Sequence, residues 1–124
     1  MTEKSENYRE MKKIFKSIAD YDLHERKGGR FVFHFYFTRS IRETDISALE
    51  LSVRAYNGLK RAGYHTVGDL AEAICSGTDI RKIRNCGLKS YSEIMEKLFL
   101  YNLANIPEAK REKYIIDMVQ KNRS

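Results

Sequence analysis

Leu59 to Leu70 reads LKRAGYHTVGDL, and Ile83 to Ile94 reads IRNCGLKSYSEI. Laid over each other at an offset of 24 residues, they agree in kind at most informative positions: Leu59 with Ile83, Ala62 with Cys86, Gly63 with Gly87, Thr66 with Ser90, Asp69 with Glu93, and Leu70 with Ile94. Each copy supplies an apolar residue late in one helix, a glycine corner, a hydroxyl to cap the next helix, and an acid three residues on that can complete a capping box. Glycine reaches the left-handed backbone of such a corner without the steric cost of a Cβ. The pattern is a helix-hairpin-helix written twice. It sets the fold class as mainly α, a compact bundle of four to five short helices.

Within residues 46–104 the caps mark the individual helices. Ser52 starts one that runs to about Ala62, Thr66 one to about Ile74, Thr78 one to about Arg84, and Ser90 or its neighbours one to about Tyr101. Gly63, Gly77 and Gly87 stand at the turns between them. In residues 105–124, Pro107 opens a last amphipathic helix with Tyr114, Ile115, Met118 and Val119 on one side, ending near Asn122.

Residues 1–45 read as an extension. Tyr8, Met11, Ile14, Phe15 and Ile18 fall at helical spacing, with charges on the other face, so this helix needs a surface to cover. Lys27, Gly28, Gly29 and Arg30 break the pattern, and Phe31 to Thr38, FVFHFYFT, reads as a strand with four phenylalanines on its odd-numbered face. A lone strand leaves backbone groups unpaired. Its expected partner is Tyr21 to Glu25, in a short β hairpin, or else the same strand of a second copy in a homodimer. Arg39 to Asp45 is charged and aperiodic and marks the boundary before the helical domain.

At 124 residues the chain is about one ordinary domain, too short for a cofactor-binding sheet plus a substrate domain. With 42% hydrophobic residues it can bury a core, and a formal charge of +6 suits a polyanionic partner. Cys75 and Cys86 show no metal-ligand spacing, and no disulfide framework is indicated. There is no signal core and no membrane-length apolar run, so a soluble, cytoplasmic protein is expected. His24, His34 and His65 are scattered, with no nucleophile or carboxylate constellation, and no glycine-rich loop has nucleotide-binding spacing. No catalysis, cofactor or metal is expected.

A glycine corner beside a helix N-terminus presents backbone amides and a positive dipole end, which together favour an anion such as a phosphate. Two of them suit a DNA backbone. The aromatic strand is read as buried core and not as the base-stacking strand of an RNA recognition motif, since residues 1–45 cannot supply that fold's four strands and two helices.

Leu49 to Leu70, LELSVRAYNGLKRAGYHTVGDL, followed by Ile80 to Leu98, IRKIRNCGLKSYSEIMEKL, resembles the C-terminal domain of the bacterial RNA polymerase alpha subunit. The resemblance implies a domain that binds the minor groove and phosphate backbone of A/T-rich promoter DNA and touches RNA polymerase, sigma factor or transcription activators. It places DNA contacts on Arg54, Asn57, Gly58, Gly87, Lys89, Ser90 and Glu93. Arg54 would enter a narrow minor groove. Asn57, Lys89, Ser90 and the Gly87 amide would hold phosphates, and Glu93 would orient Arg54 or cap a helix. Two departures stand out: Gly58 inside a helix, and Leu88 where the family is often basic. Residues 1–45 do not resemble the polymerase assembly domain, which implies a short free-standing relative. The competing reading is a protein–protein adaptor that docks on polymerase, sigma or an activator without binding DNA.

Overall fold

Ser52 has extended backbone and its hydroxyl accepts from the Ala55 amide, so the chain enters a helix at Val53. In the computed structural model, which describes residues 6–23, 33–35, 37–76 and 88–123, this is one of six helices among the described residues. In chain order they are α1 (Glu6–Ala19), α2 (Arg39–Arg42), α3 (Val53–Arg61), α4 (Val67–Cys75), α5 (Leu88–Ala104) and α6 (Glu108–Arg123), with a 3-10 turn at Ile46–Leu49. The mainly α class read from the sequence is the observed one. The expected helix from Thr78 to Arg84 lies outside the described residues.

The first corner forms as its residues dictate. Gly63 is left-handed at φ 95°, the Tyr64 amide reaches the Leu59 carbonyl at 3.0 Å, and the Gly63 amide reaches Lys60 at 3.1 Å. These two bonds satisfy carbonyls that the end of α3 would otherwise leave open. Thr66 then caps α4, and Asp69 returns the bond to the Thr66 backbone in a complete capping box. At the end of α5, Arg111 donates to the carbonyls of Ile106 and Ala104.

Helix α5 carries two cores. On one side Ile94 and Leu98 meet Ile46, Leu49, Ala55, Leu59, Val67 and Leu70, which is the hairpin core. On the other side Phe99 meets Met11 and Phe15 of α1 and Tyr114, Ile115, Met118 and Val119 of α6. The amphipathic helices near the two ends of the sequence thus cover each other and one face of α5. Phe15 and Phe99 are fully buried and stack with centroids 5.3 Å apart.

No described residue lies in a strand, and Asp45 with Thr66 makes the one bridge among them. Residues 24–32, which hold the turn of the expected hairpin, lie outside the described set. The described aromatic positions keep the predicted alternation: Phe33, Phe35 and Phe37 share a face and stack in series, with centroids 6.2 and 6.0 Å apart. That face packs inward, Phe33 on Phe15 and Phe99 and Phe37 on Tyr101. The Tyr114 hydroxyl donates to the His34 carbonyl. The described part of the segment expected to form a homodimer therefore has its apolar face occupied within the protein.

Candidate nucleic-acid interface

The start of α3 carries the first candidate residues. Ala55, Gly58 and Leu59 are buried, which turns Val53, Arg54, Asn57 and Arg61 to the outside. Arg54 and Asn57 sit three positions apart, about one turn, and are both exposed. Gly58 does not join them, because it lies on the inner face. Val53 is 76% exposed, the one large apolar side chain so exposed among the described residues. An apolar residue directly after a cap, on the polar face of its helix, was the sequence signal for it.

The start of α5 is tied to the start of α3. Glu93 accepts from the Ser52 amide at 2.5 Å and from the Ser52 hydroxyl at 2.8 Å. A carboxylate at that position closes donors at the helix N-terminus and favours its positive end. Glu93 thus engages the residue that caps the helix bearing Arg54. Positions 89 and 90 lie one turn before Glu93 on α5, so the backbone of Lys89 and Ser90 is one helical turn from the residue that bonds Ser52. Gly87 lies outside the described residues.

The two copies of the repeat are not equivalent. In the first, the amides of His65 and Thr66 donate to Asp69 at 3.2 and 3.1 Å, and the Asp69 amide donates to Thr66 Oγ1. The Val67 amide is bonded to the Thr44 carbonyl at 2.8 Å. With Gly63 and Tyr64 already engaged, the amides from Gly63 to Val67 all have partners within the protein. The expectation that this corner offers amides to a phosphate is therefore corrected: its own capping acid and the preceding segment take them. The bond from the His65 amide, the leading cause, holds the Asp69 carboxyl below the usual carboxylate range. In the second copy α5 begins at Leu88, so Ser90 lies inside the helix and is not its cap, and Glu93 is directed at Ser52.

Beside this site a further ion pair supports α3. Lys60 Nζ lies 2.6 Å from Asp45 Oδ1 and 5.4 Å from the centre of the Tyr56 ring. The bond from Lys60, with a second from the Ser47 amide, lowers the Asp45 carboxyl to about 2. Among the described residues no group of acidic, histidine or cysteine side chains is arranged to hold a metal, and no helix is long and apolar enough to cross a membrane.

Comparison with known proteins matches residues 38–99 to the family described as the C-terminal domain of the alpha chain of bacterial RNA polymerase. The match begins at the residue that caps α2 and ends in α5 at Phe99. Similar proteins include the DNA-directed RNA polymerase subunit alpha of Syntrophomonas wolfei subsp. wolfei, 53% identical over 64 residues that make up 52% of this chain and 20% of that protein. That of Malacoplasma penetrans is 47% identical over 66 residues, covering 53% of this chain and 19% of the relative. That of Alkaliphilus oremlandii is 50% identical over 58 residues, covering 47% and 18%. The chain thus spans about a fifth of the length of these relatives. No solved structure matches. The matched region is the C-terminal domain alone, an accessory domain that carries no catalytic residues. The protein belongs to the family of C-terminal domains of the bacterial RNA polymerase alpha subunit.

Proposed function

We propose that this chain is a transcription-associated DNA-binding protein of the cytoplasm and nucleoid that contacts the minor groove and phosphate backbone through the paired starts of α3 and α5. The observation that supports the reading is the bond pair from Ser52 to Glu93, which ties the start of α3, where Arg54 and Asn57 are exposed, to α5 one turn after positions 89 and 90. A guanidinium on an exposed first turn can enter a narrow A/T-rich groove, where the negative potential is highest. Asn57, Lys89, Ser90 and the backbone at Gly87 would hold phosphates to either side. Association with RNA polymerase, sigma factor or activators belongs to the same reading and is suggested by the kinship with subunit alpha.

The test is binding of the whole protein to A-tract and G/C-rich duplexes over a range of salt. About four phosphate contacts at α3 and α5 contribute roughly −3 to −4 to the log-log slope. Arg54→Ala should lose most of the affinity and erase any A-tract preference. A flat salt response together with indifference to Arg54→Ala would leave the adaptor reading, with polymerase, sigma or an activator as the partner.

A further inference from the structure

We propose that the outer stripe of α1 formed by Arg9, Lys12 and Lys13 is a second phosphate-backbone contact, lying along the same duplex as the site at α3 and α5. The inference rests on the DNA-binding reading and extends it to a helix outside the matched family region, which begins at residue 38.

Positions 9, 12, 13 and 16 fall at spacings of three, four and seven, which places them on one helical face. Met11 and Phe15 are buried against α5 and α6, so that stripe points outward, and all four cations are exposed. Lys16 is held by Asp20 at 2.9 Å and Asp22 at 3.6 Å. Arg9, Lys12 and Lys13 have no ion pair among the described residues, and the nearby acids Glu6 and Glu10 lie on the flank of the stripe. Like charges one turn apart repel, so the folded helix holds Arg9 against Lys12 and Lys13 at a cost that a polyanion would relieve.

The stripe is mechanically linked to the first site. Phe15 stacks on Phe99 of α5, and Glu93, six positions earlier on that helix, holds Ser52. Six residues are about 9 Å of helix, so the two attachment points on α5, under α1 and under α3, are less than two helical turns apart. Duplex is favoured over an anionic membrane because the apolar face of α1 is spent inside the protein, leaving none for insertion between lipids.

The experiment compares the whole protein with its Arg9→Gln, Lys12→Gln, Lys13→Gln triple variant on a duplex of about two helical turns, by fluorescence anisotropy across a salt series. Each lost contact removes about 0.9 from the slope, so the triple variant should lose roughly 2 to 3 and bind about tenfold more weakly or worse at low salt. The charge-preserving Arg9→Lys, Lys12→Arg, Lys13→Arg variant should bind like the parent, and the melting curves of all three should coincide. An unchanged slope in the triple variant, while Arg54→Ala still weakens binding, would overturn the inference and leave the first site standing. A parent protein that ignores the duplex would sink both. Loss of binding to phosphatidylserine vesicles with duplex binding untouched would reassign the stripe to membranes and likewise overturn it.

Discussion

Glu93 on α5 holds both the amide and the hydroxyl of Ser52, the residue that starts α3, from 41 positions further along the sequence. Glu93→Ala should leave that helix start poorly satisfied and cost about 1–2 kcal/mol in urea unfolding. Its effect on DNA has an informative sign. Removing a carboxylate near a phosphate track should by charge alone strengthen binding, whereas loss of the helix anchor should weaken it. We expect weaker binding, with Glu93→Gln intermediate. A rise in affinity for Glu93→Ala would mean that the carboxylate only repels DNA and does not position α3.

Gly68 in α4 lies against α2, where an added Cβ would stand 2.8 Å from the Arg42 carbonyl oxygen and 2.9 Å from the Arg42 Cβ. Alanine is the better helix former by about 1 kcal/mol. Here the clash is with backbone that cannot step aside, and overpacking costs about 1–3 kcal/mol. Gly68→Ala should therefore lower the melting temperature, and a raised one would show that α2 yields freely.

The stack of Phe15 on Phe99 joins α1 to α5 in a fully buried setting. Phe15→Ala should cost about 3–5 kcal/mol, and Phe15→Leu much less, because it keeps most of the volume. Urea unfolding checks the order. Amide exchange in α6 should speed up in Phe15→Ala, since Tyr114, Ile115 and Met118 share that core.

Asp45 gives the fold an acid-sensitive contact. Its carboxyl is lowered from 3.8 to about 2, first by Lys60 and then by Ser47. A group with a depressed folded pKa stabilises above its unfolded value, and that contribution is lost as pH falls through the folded value. The contact should therefore be complete above about pH 4 and weaken progressively toward about pH 2. Asp45→Asn should flatten the melting temperature across that window. The pair is solvent-accessible, so high salt should shrink the difference between parent and variant.

The features legible in the sequence are those that act within a few residues. Ser52 and Thr66 start their helices where expected, Gly63 turns the corner, and Thr66 with Asp69 forms the capping box, because each rests on contacts between residues at most five positions apart. The alternation of Phe33, Phe35 and Phe37 onto one face was legible for the same reason. What covers that face was not, since its neighbours on α1 and α5 come from both directions along the sequence.

The repeat also concealed a difference. Asp69 and Glu93 occupy equivalent places in the two copies, yet Asp69 folds back on its own helix start, whereas Glu93 reaches Ser52 on another helix. Sequence alone determined the mainly α fold and the starts of α3 and α4, because local caps encode them. Only the tertiary structure decided that the first corner spends its amides internally, that α1 and α6 build a second core on α5, and that Gly58 faces inward. Those outcomes depend on which surfaces meet, and burial pairs residues that no spacing along the sequence announces.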